Sequence, residues 1–347
     1  MSSSGTTGAA LAHAYWAGVV QPLLTARFKD LQPAAGRLGP GSDVLGLDDA
    51  TSQDHDWGLR LSLFVPDDAV RAVDAELERA LPATFLGLPT RFAFTGGTAA
   101  LHRVEVTTVS AFMRTGLGFD PRPGPSATDW LSLTGQSILE ATGGPVFADP
   151  DGELGAVRQA LEWYPDDLWR YVLACDWTRI TQELPLMGRA GDVGDQIGAR
   201  VIAARIGRTV LHLTYLLERR WPPYAKWFGT VFRTLGSSDA VGPAVGRLLA
   251  APDTLGRNRA VAAALDVLLQ QQRALGLVEG SSATIPFWDR PHLQVDPAVV
   301  PQLLGPITDP DVRALPPGRG SVEQRSDDAG LLTDPAARRT AVACGTC

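Results

Sequence analysis

The feature that most constrains this fold is a pair of short motifs separated by a loop. Gly41-Ser42 forms the first motif, and Asp54 and Asp56 form the second, which runs into the apolar segment Leu59–Val65. Because side chains alternate across an extended strand, the two aspartates are expected on one face. Together these motifs predict a sheet with a tight turn and paired carboxylates at the beginning of one strand.

These residue types fit phosphoryl-transfer chemistry. Two carboxylates on one strand face can hold a pair of divalent cations, which stabilise the attacking and leaving oxygens of an in-line displacement. The Gly41-Ser42 turn offers backbone N–H groups and one hydroxyl to phosphates, and its glycine leaves room for close approach. Arg60 shares the predicted face with Asp54 and Asp56, so we count it with the turn among the expected nucleotide contacts.

Each motif also has a plainer interpretation. An isolated Asp-x-Asp is commonly a solvated strand end, and an isolated Gly-Ser is commonly a turn. The combination of both motifs at this spacing, followed by an apolar strand, favours the functional interpretation over two unrelated surface features.

Composition narrows the function classes. The chain has 347 residues and a formal net charge of −7, so it is long enough for a sizeable core. Its acidic balance argues against a broad nucleic-acid surface, which requires a basic footprint. We predict no transmembrane helix, no signal peptide and no disulfide framework, and we interpret the Cys344 and Cys347 pair as part of a frayed tail. A cytoplasmic protein without a membrane partner is expected.

The first 150 residues alternate between helices and strands. Hydrophobic periodicity predicts helices over Ala9–Leu31 and Asp129–Gly143 and a helix that reaches Leu81. Runs of β-branched and apolar residues predict strands at four places, which are Leu59–Val65, Arg91–Thr95, Leu101–Val109 and Pro145–Asp149. This part of the chain is therefore expected to form a small sheet with helices around it.

The strand predicted over Leu101–Val109 contains an acidic residue, Glu105, between apolar β-branched residues. A charge inside a central strand is costly unless it has a partner. Cations held by Asp54 and Asp56 would be such a partner, and a solvated strand face is the alternative explanation. The residues alone leave these two explanations open.

The Gly-Ser turn and the Asp-x-Asp strand resemble the signature of the polymerase-beta-like nucleotidyltransferase superfamily. Members of that superfamily take a third carboxylate from a later, neighbouring strand. The resemblance implies that Asp54, Asp56 and Glu105 are the catalytic residues and bind two Mg²⁺ ions. It also implies that ATP or another nucleoside triphosphate is the donor.

Beyond residue 150 the pattern changes to helices without intervening strands. Lys226, at a helix start, is a candidate phosphate contact because an ammonium and helix N-terminal N–H groups both favour anions. The alternative is that its stem packs on Trp227 while its ammonium stays in water. His212 lies on a basic helix face and is predicted to be a packed or surface histidine rather than a general base.

Further motifs resemble an uncharacterised bacterial family that is catalogued as a domain of unknown function and grouped with nucleotidyltransferases. The resemblance extends through most of the chain and rests on six segments, which are Gly41–Gly46, Asp54–Gly58, Val104–Thr107, Trp163–Pro165, Pro223–Trp227 and Gly320–Gln324. It implies a nucleotidyltransferase domain followed by a helical domain like that of aminoglycoside nucleotidyltransferases. Leu59 and His212 stand where we expect proline and arginine in that family.

We therefore predict an α+β fold with three parts. Residues 1–150 form a small mixed β-sheet nucleotidyltransferase domain, residues 151–275 form an all-helical bundle domain, and residues 276–347 form a partly irregular extension with a disordered tail. The active site is expected in the cleft between the first two domains.

The predicted function is metal-dependent transfer of a nucleoside monophosphate, foremost AMP from ATP, to a hydroxyl of a small molecule. A protein acceptor is one alternative, and a catalytically silent nucleotide-binding or regulatory protein is another. A hydrolase with unrelated acids lacks support, because the chain has no nucleophile-elbow motif and no zinc-ligand pattern.

Overall fold

The computed structural model describes residues 7–49, 57–290 and 292–344, and the chain divides into two compact units. The first unit comprises Met1–Pro125 with Ser137–Glu162, and the second comprises Ser126–Gln136 with Trp163–Cys347. The boundary predicted at residue 150 therefore lies inside the first unit. The change of pattern there marks where the strands of the first sheet end, whereas packing decides to which unit each helix belongs.

Short strands and helices alternate through the first 160 residues. In chain order these elements are α1 (Gly8–Tyr15), a π-helical segment (Trp16–Val20), α2 (Gln21–Arg27), β1 (Ala34–Gly36), a 3₁₀ turn (Ser42–Leu45), β2 (Leu61–Phe64), α3 (Val70–Ala80), β3 (Thr84–Phe85), β4 (Leu88–Pro89), β5 (Arg91–Phe92), β6 (Leu101–His102), β7 (Val104–Thr107), α4 (Val109–Leu117), α5 (Ala127–Ser132), α6 (Gly135–Thr142), β8 (Val146–Ala148) and α7 (Glu153–Ala160).

Helices dominate the remainder of the chain. The elements are α8 (Asp166–Asp192), α9 (Gln196–Leu217), α10 (Ala225–Phe232), α11 (Ser238–Ala250), α12 (Thr254–Ala274), β9 (Thr284–Pro286), β10 (Leu293–Val295), α13 (Val299–Leu304), α14 (Pro310–Arg313), α15 (Val322–Arg325), α16 (Ala329–Thr333) and α17 (Pro335–Ala343). The fold is thus mixed α+β with small sheets and a helical C-terminal part. In the part of the chain that the structure describes, no helix is both long and apolar enough to cross a membrane.

The first unit contains a four-stranded mixed sheet in the order β7-β2-β1-β8. Strand β1 pairs antiparallel with β2 and β8, whereas β2 and β7 run parallel, with Ser62 opposite Glu105. A parallel pair needs a crossover connection, and α3 lies in this one, burying Val73 and Leu77 in the core. This topology brings Glu105 beside β2.

The two faces of this sheet have different environments. Leu61 and Val104 lie in the hydrophobic core that α1, α2 and α3 complete. Because side chains alternate, Ser62 and Glu105 belong to the opposite face. There the Ser62 hydroxyl donates to the Leu38 carbonyl at 3.3 Å. The polar face of the sheet is therefore directed toward the loop that follows β1.

The strand predicted over Leu59–Val65 is shorter than expected. It begins at Leu61, because the Arg60 N–H bonds the Gly58 carbonyl at 2.9 Å and closes a tight turn just before β2. Strand alternation therefore does not extend back from Arg60, and the shared face predicted for Arg60 with Asp54 and Asp56 does not follow from it. Both aspartates lie outside the described residues.

The strand predicted over Leu101–Val109 is divided into β6 and β7, and Val109 already belongs to α4. Helix α4 begins there because the Thr108 side chain accepts a hydrogen bond from the Ala111 N–H at 3.0 Å. Such a cap satisfies a backbone donor that the first helical turn leaves without a partner. The capping residue, rather than the β-branched run, sets this boundary.

The second unit is built around long packed helices. Helix α8 packs on α9 and α13, and α12 packs on α8, α9 and α11. Trp177 and Ile180 of α8, Leu213 of α9 and Leu265 of α12 are fully buried. Between residues 151 and 275 the described elements are all helices, as predicted, and the antiparallel hairpin of β9 and β10 follows them and packs on α8.

The C-terminal region differs from its predicted partial disorder. Residues up to Ala343 form three short helices, α15 to α17, and Arg338 and Val342 are buried. Composition misleads here because local caps order the segment: the Asp334 carboxylate accepts hydrogen bonds from backbone N–H groups of α17. In addition, Arg339 forms an ion pair with Asp129 of α5.

Candidate functional site

A buried ion pair shapes the loop that carries the Gly-Ser turn. Arg37, directly after β1, is 2% exposed and donates from Nε and Nη2 to the two carboxylate oxygens of Asp43, at 2.6 and 2.9 Å. The same guanidinium donates to the carbonyls of Leu38 at 2.5 Å and Pro40 at 2.9 Å. A bidentate pair with further hydrogen bonds holds the intervening backbone in one conformation.

The Gly-Ser turn lies against two arginine side chains. Gly41 has a φ of +139°, a value that side-chain-bearing residues rarely adopt, and the 3₁₀ turn starts at Ser42. A Cβ on Gly41 would overlap the Asp43 carboxylate and would lie 2.6 Å from Arg37 Nη2 and 3.3 Å from Arg60 Nη1. The Arg37–Asp43 ion pair and the guanidinium of Arg60 therefore lie against the turn at the residue that has no side chain.

Glu105 lines a small pocket beside the same loop. The pocket has a volume of about 110 Å³. Its other lining residues are Gly39, Pro40, Phe112, Met113, Thr115, Gly116, Leu117, Ser137, Glu140 and Ala141. The Gly39 N–H donates to the Glu140 carbonyl at 2.8 Å, which ties this loop to α6. The pocket thus has one largely apolar wall, from α4, and one carboxylate contributed by the sheet.

The surroundings of Glu105 act on its charge in opposite directions. The residue reaches solvent, yet the protein around its carboxyl group raises the pKa by desolvation. The positive charges of Arg60 and then Arg37 act in the opposite direction and lower the pKa, without cancelling the effect of desolvation. A carboxylate in this position is stabilised by additional positive charge.

The predicted metal ligands are only partly described. Asp54 and Asp56 lie outside the described residues, whereas Glu105 is placed next to Ser62 on the polar face of the sheet. Among residues 7–49, 57–290 and 292–344, no three His, Cys, Asp or Glu side chains are grouped to hold a metal ion. The chemistry of Glu105 itself fits a Mg²⁺ ligand, because Mg²⁺ prefers carboxylate oxygens and a cation would oppose the desolvation that raises the pKa of this residue.

Lys226 belongs to the second unit. It lies in the first turn of α10, and its ammonium is 4.9 Å from the centre of the Trp227 ring. This cation–π contact corresponds to the packing alternative given for Lys226 above. Gly41, Ser42, Arg60 and Glu105 are together in the first unit.

The second unit contains a buried charge cluster between α8, α9 and α15. His212 Nδ1 lies 2.6 Å from Asp176 Oδ2, and its Nε2 lies 3.7 Å from Glu323 Oε1. His212 and Asp176 are 4% and 3% exposed, so the imidazole is packed, as predicted. The other oxygen of Glu323 accepts from the Gly135 N–H at 3.0 Å.

Two acidic residues stabilise the positive charge of His212. Burial by itself lowers the pKa of His212, but Asp176 and Glu323 together outweigh burial and raise the pKa to about 9. The imidazole is therefore protonated at neutral pH, so it is not available as a general base. The cluster is a stabilised buried cation rather than a catalytic dyad.

Sequence patterns alone do not identify the contacts that create both arrangements. Arg37 and Asp43 lie beside a loop, where charged residues are usually solvated. Asp176 and Glu323 are distant from His212 along the chain, and Glu323 belongs to a sequence pattern only as part of the motif Gly320–Gln324. Asp176 does have one sequence signal, because it interrupts the apolar run around Cys175 and Trp177 in a helix whose pattern predicts burial. A charged residue at such a position needs a partner.

A comparison with known families gives a match over part of the chain. The profile of a family described as "Domain of unknown function (DUF4037)" matches residues 130–228. The matched range includes Asp176, His212 and Lys226 and ends before Glu323. No curated protein matches the chain. The match supports the part of the resemblance that concerns a domain of unknown function, and only within residues 130–228. The grouping with nucleotidyltransferases stays a prediction, since these residues contain neither Gly41-Ser42 nor Glu105.

The Gly-Ser turn gives a first testable expectation. Gly41→Ala should lower the free energy of unfolding by about 1–3 kcal/mol, because the new Cβ strains the backbone and displaces the Asp43 carboxylate. It should also weaken ATP binding more than Ser42→Ala, which removes only a hydroxyl. Urea unfolding and titration calorimetry measure the two effects.

Gly229→Ala is the matched control, because a Cβ there meets nothing within 4 Å and the residue lies in α10. If Gly41→Ala and Ser42→Ala both bind ATP as the parent does, the turn has only a structural role.

Proposed function

We propose that this chain is a metal-dependent nucleotidyltransferase that transfers a nucleoside monophosphate, foremost AMP from ATP, to a hydroxyl of a small molecule. One observation carries the proposal: the Gly41-Ser42 turn, the guanidinium of Arg60 and the strand carboxylate Glu105 lie around one loop of the first unit. The backbone N–H groups of the turn and the guanidinium of Arg60 can bind phosphate oxygens. The carboxylate of Glu105 can bind a cation that the phosphates also bind.

Different groups of the loop would bind different parts of the nucleoside triphosphate or hold the loop in place. Backbone N–H groups of the Gly41-Ser42 turn and the Ser42 hydroxyl would bind phosphate oxygens, with Arg60 as a charged contact. Arg37 is occupied by Asp43 and two carbonyls, so its role is to position the turn rather than to bind the nucleotide.

Glu105, with Asp54 and Asp56, would hold Mg²⁺, which when bound would neutralise the phosphates and favour in-line displacement. In the reaction the acceptor hydroxyl oxygen forms a bond to the α-phosphorus, and the bond from that phosphorus to the pyrophosphate oxygen breaks. The hydroxyl proton passes to a carboxylate of the site.

A silent nucleotide-binding protein is the second candidate, and one observation favours it. Arg60 and Arg37 already place positive charge beside Glu105, so this carboxylate has partial compensation without a metal. In that case the loop would bind a nucleotide and the bond to pyrophosphate would stay intact. Transfer of the nucleoside monophosphate to a protein is a variant of the first candidate and differs from it only in the acceptor.

Pyrophosphate release distinguishes these candidates. We expect the pure protein, given Mg²⁺, a metabolite extract and one of labelled ATP, GTP, CTP or UTP, to release pyrophosphate with a single preferred nucleotide. Asp54→Asn and addition of EDTA should each abolish release while circular dichroism stays unchanged.

Nucleotide binding without release, in the presence of every extract fraction, would favour the silent protein. Release that persists in Asp54→Asn would contradict the role of this residue as a metal ligand.

A further inference from the structure

A pocket in the second unit is lined by three arginines. Its volume is about 390 Å³, within the range of small-molecule sites. The lining residues are Cys175, Asp176, Arg179, Gln182, Gly318, Arg319, Gln324, Arg325 and Ala341. They come from α8, α15, α17 and the loop before α15, so the pocket is assembled from segments far apart in the sequence.

Backbone carbonyls, which carry no net charge, hold these guanidinium groups in place. Arg325 donates to the carbonyls of Arg319, Gly320 and Ala341 at 2.9–3.1 Å. Arg179 donates to the Gln324 carbonyl, and Arg319 donates to the Cys344 carbonyl at 3.5 Å. Carbonyl acceptors fix the direction of a guanidinium and leave its positive charge in place.

The nearby acids do not neutralise this charge. Among the described lining residues the acidic one is Asp176, and its carboxylate is bonded to the protonated His212 at 2.6 Å. Glu183 lies 3.8 Å from Arg179 but is bound more closely, at 2.5 Å, by Arg205. Desolvation lowers the pKa of Arg325, and the positive charge of Arg319 lowers it further. The pocket therefore contains cations that repel one another.

We propose that this pocket binds a small molecule through a phosphate monoester group. A phosphate monoester carries about −1.5 to −2 charges at pH 7, and three arginines whose charge the nearby acids do not neutralise can balance it. Guanidinium groups bind phosphate oxygens through charge-assisted hydrogen bonds, which Arg179 and Arg319 can supply, whereas Arg325 donates to three carbonyls and contributes its positive charge. Gln182 and Gln324 add amide groups that can contact the uncharged part of the ligand. This site is independent of the nucleotidyltransferase proposal, because it lies within the second unit.

Titration calorimetry with ribose 5-phosphate tests the proposal, with ribose and acetate as the uncharged and singly charged probes. We expect binding of ribose 5-phosphate and not of ribose or acetate. Arg319→Gln should weaken that binding about tenfold or more, as the loss of a charge-assisted hydrogen bond predicts. Arg259→Gln, an equal loss of charge at an exposed position of α12, should not weaken it.

A second variant keeps the test valid if Arg319→Gln is unstable. Gln182 is exposed, so Gln182→Glu introduces a negative charge at the pocket without disturbing buried packing, and it should also weaken binding. The proposal is overturned if the parent protein does not bind ribose 5-phosphate, if acetate binds as tightly, or if these pocket variants bind like Arg259→Gln.

Discussion

Glu105→Gln is expected to lower pyrophosphate release by a factor on the order of 10²–10³, the usual cost of removing one group that stabilises transition-state charge. Glutamine keeps the shape of the side chain and loses both its charge and its basicity. The structure places Glu105 beside Ser62 on the polar face of the sheet, near Arg60 and the Gly-Ser turn, so the loss acts where the phosphates are proposed to bind.

The same variant should lose the stabilisation that Mg²⁺ confers. A cation that binds the folded protein raises its unfolding temperature by mass action, and Glu105→Gln should reduce this rise together with turnover. Differential scanning fluorimetry with and without Mg²⁺ gives the first quantity and a pyrophosphate assay gives the second. Glu78→Gln is a suitable control, because Glu78 lies in the same unit and forms a partly exposed pair with Arg91.

The outcome separates the two candidate functions. If turnover falls and the effect of Mg²⁺ disappears, Glu105 is a metal ligand. If Glu105→Gln binds ATP more tightly and neither protein releases pyrophosphate, the carboxylate only repels the nucleotide and the silent protein is favoured.

Asp176→Ala is expected to lower the free energy of unfolding by about 3–5 kcal/mol, the cost of leaving a buried charge without its partner. Asp176 and His212 are both almost fully buried and lie 2.6 Å apart. Urea unfolding measures the change. Asp74→Ala is the matched control, because Asp74 lies 3.3 Å from His102 but its side chain is 58% exposed. Its effect should be about 1 kcal/mol or less.

The same cluster predicts how stability depends on pH. The folded-state pKa of His212 is about 9, above its ordinary value of 6.5, so the folded protein binds this proton more tightly than the unfolded chain does. The resulting stabilisation is complete below pH 6.5 and is lost as the pH rises through 9, with a total of about 3 kcal/mol.

Urea unfolding at pH 6, 7.5 and 9.5 should show this decline in the parent and a smaller decline in Asp176→Ala. Equal declines in the two proteins would mean that Asp176 does not hold the proton on His212.

Some elements of the fold follow directly from local sequence. The short apolar run at β2 indicates a buried strand. In α3, α8 and α9 apolar residues recur at helical spacing, which indicates helices because burial of one helix face requires that spacing. The ends of elements were less predictable. The turn at Gly58 delays the beginning of β2, and the helix cap at Thr108 ends the strand that contains β7. Both boundaries depend on single residues, so the pattern of apolar residues does not predict them.

In the C-terminal segment, too, single residues determine a structure that the average composition does not predict. Composition predicts partial disorder for the last residues, yet Asp334 caps α17 and Val342 is buried. Composition measures the average ability of a segment to bury apolar surface, whereas one cap and one buried side chain act locally.

The sequence by itself determined the Gly-Ser turn, the apolar strand after it and the acidic residue in a later strand, because each is a local pattern in the chain. Only the tertiary structure decided that Arg37 holds Asp43, that Arg60 approaches Gly41, and that three arginines line one pocket of the second unit. These arrangements join residues from different elements. Their energy is the difference between the cost of removing charges from water and the attraction between charges in the interior, and both depend on everything packed around them. Spacing along the chain does not contain that information.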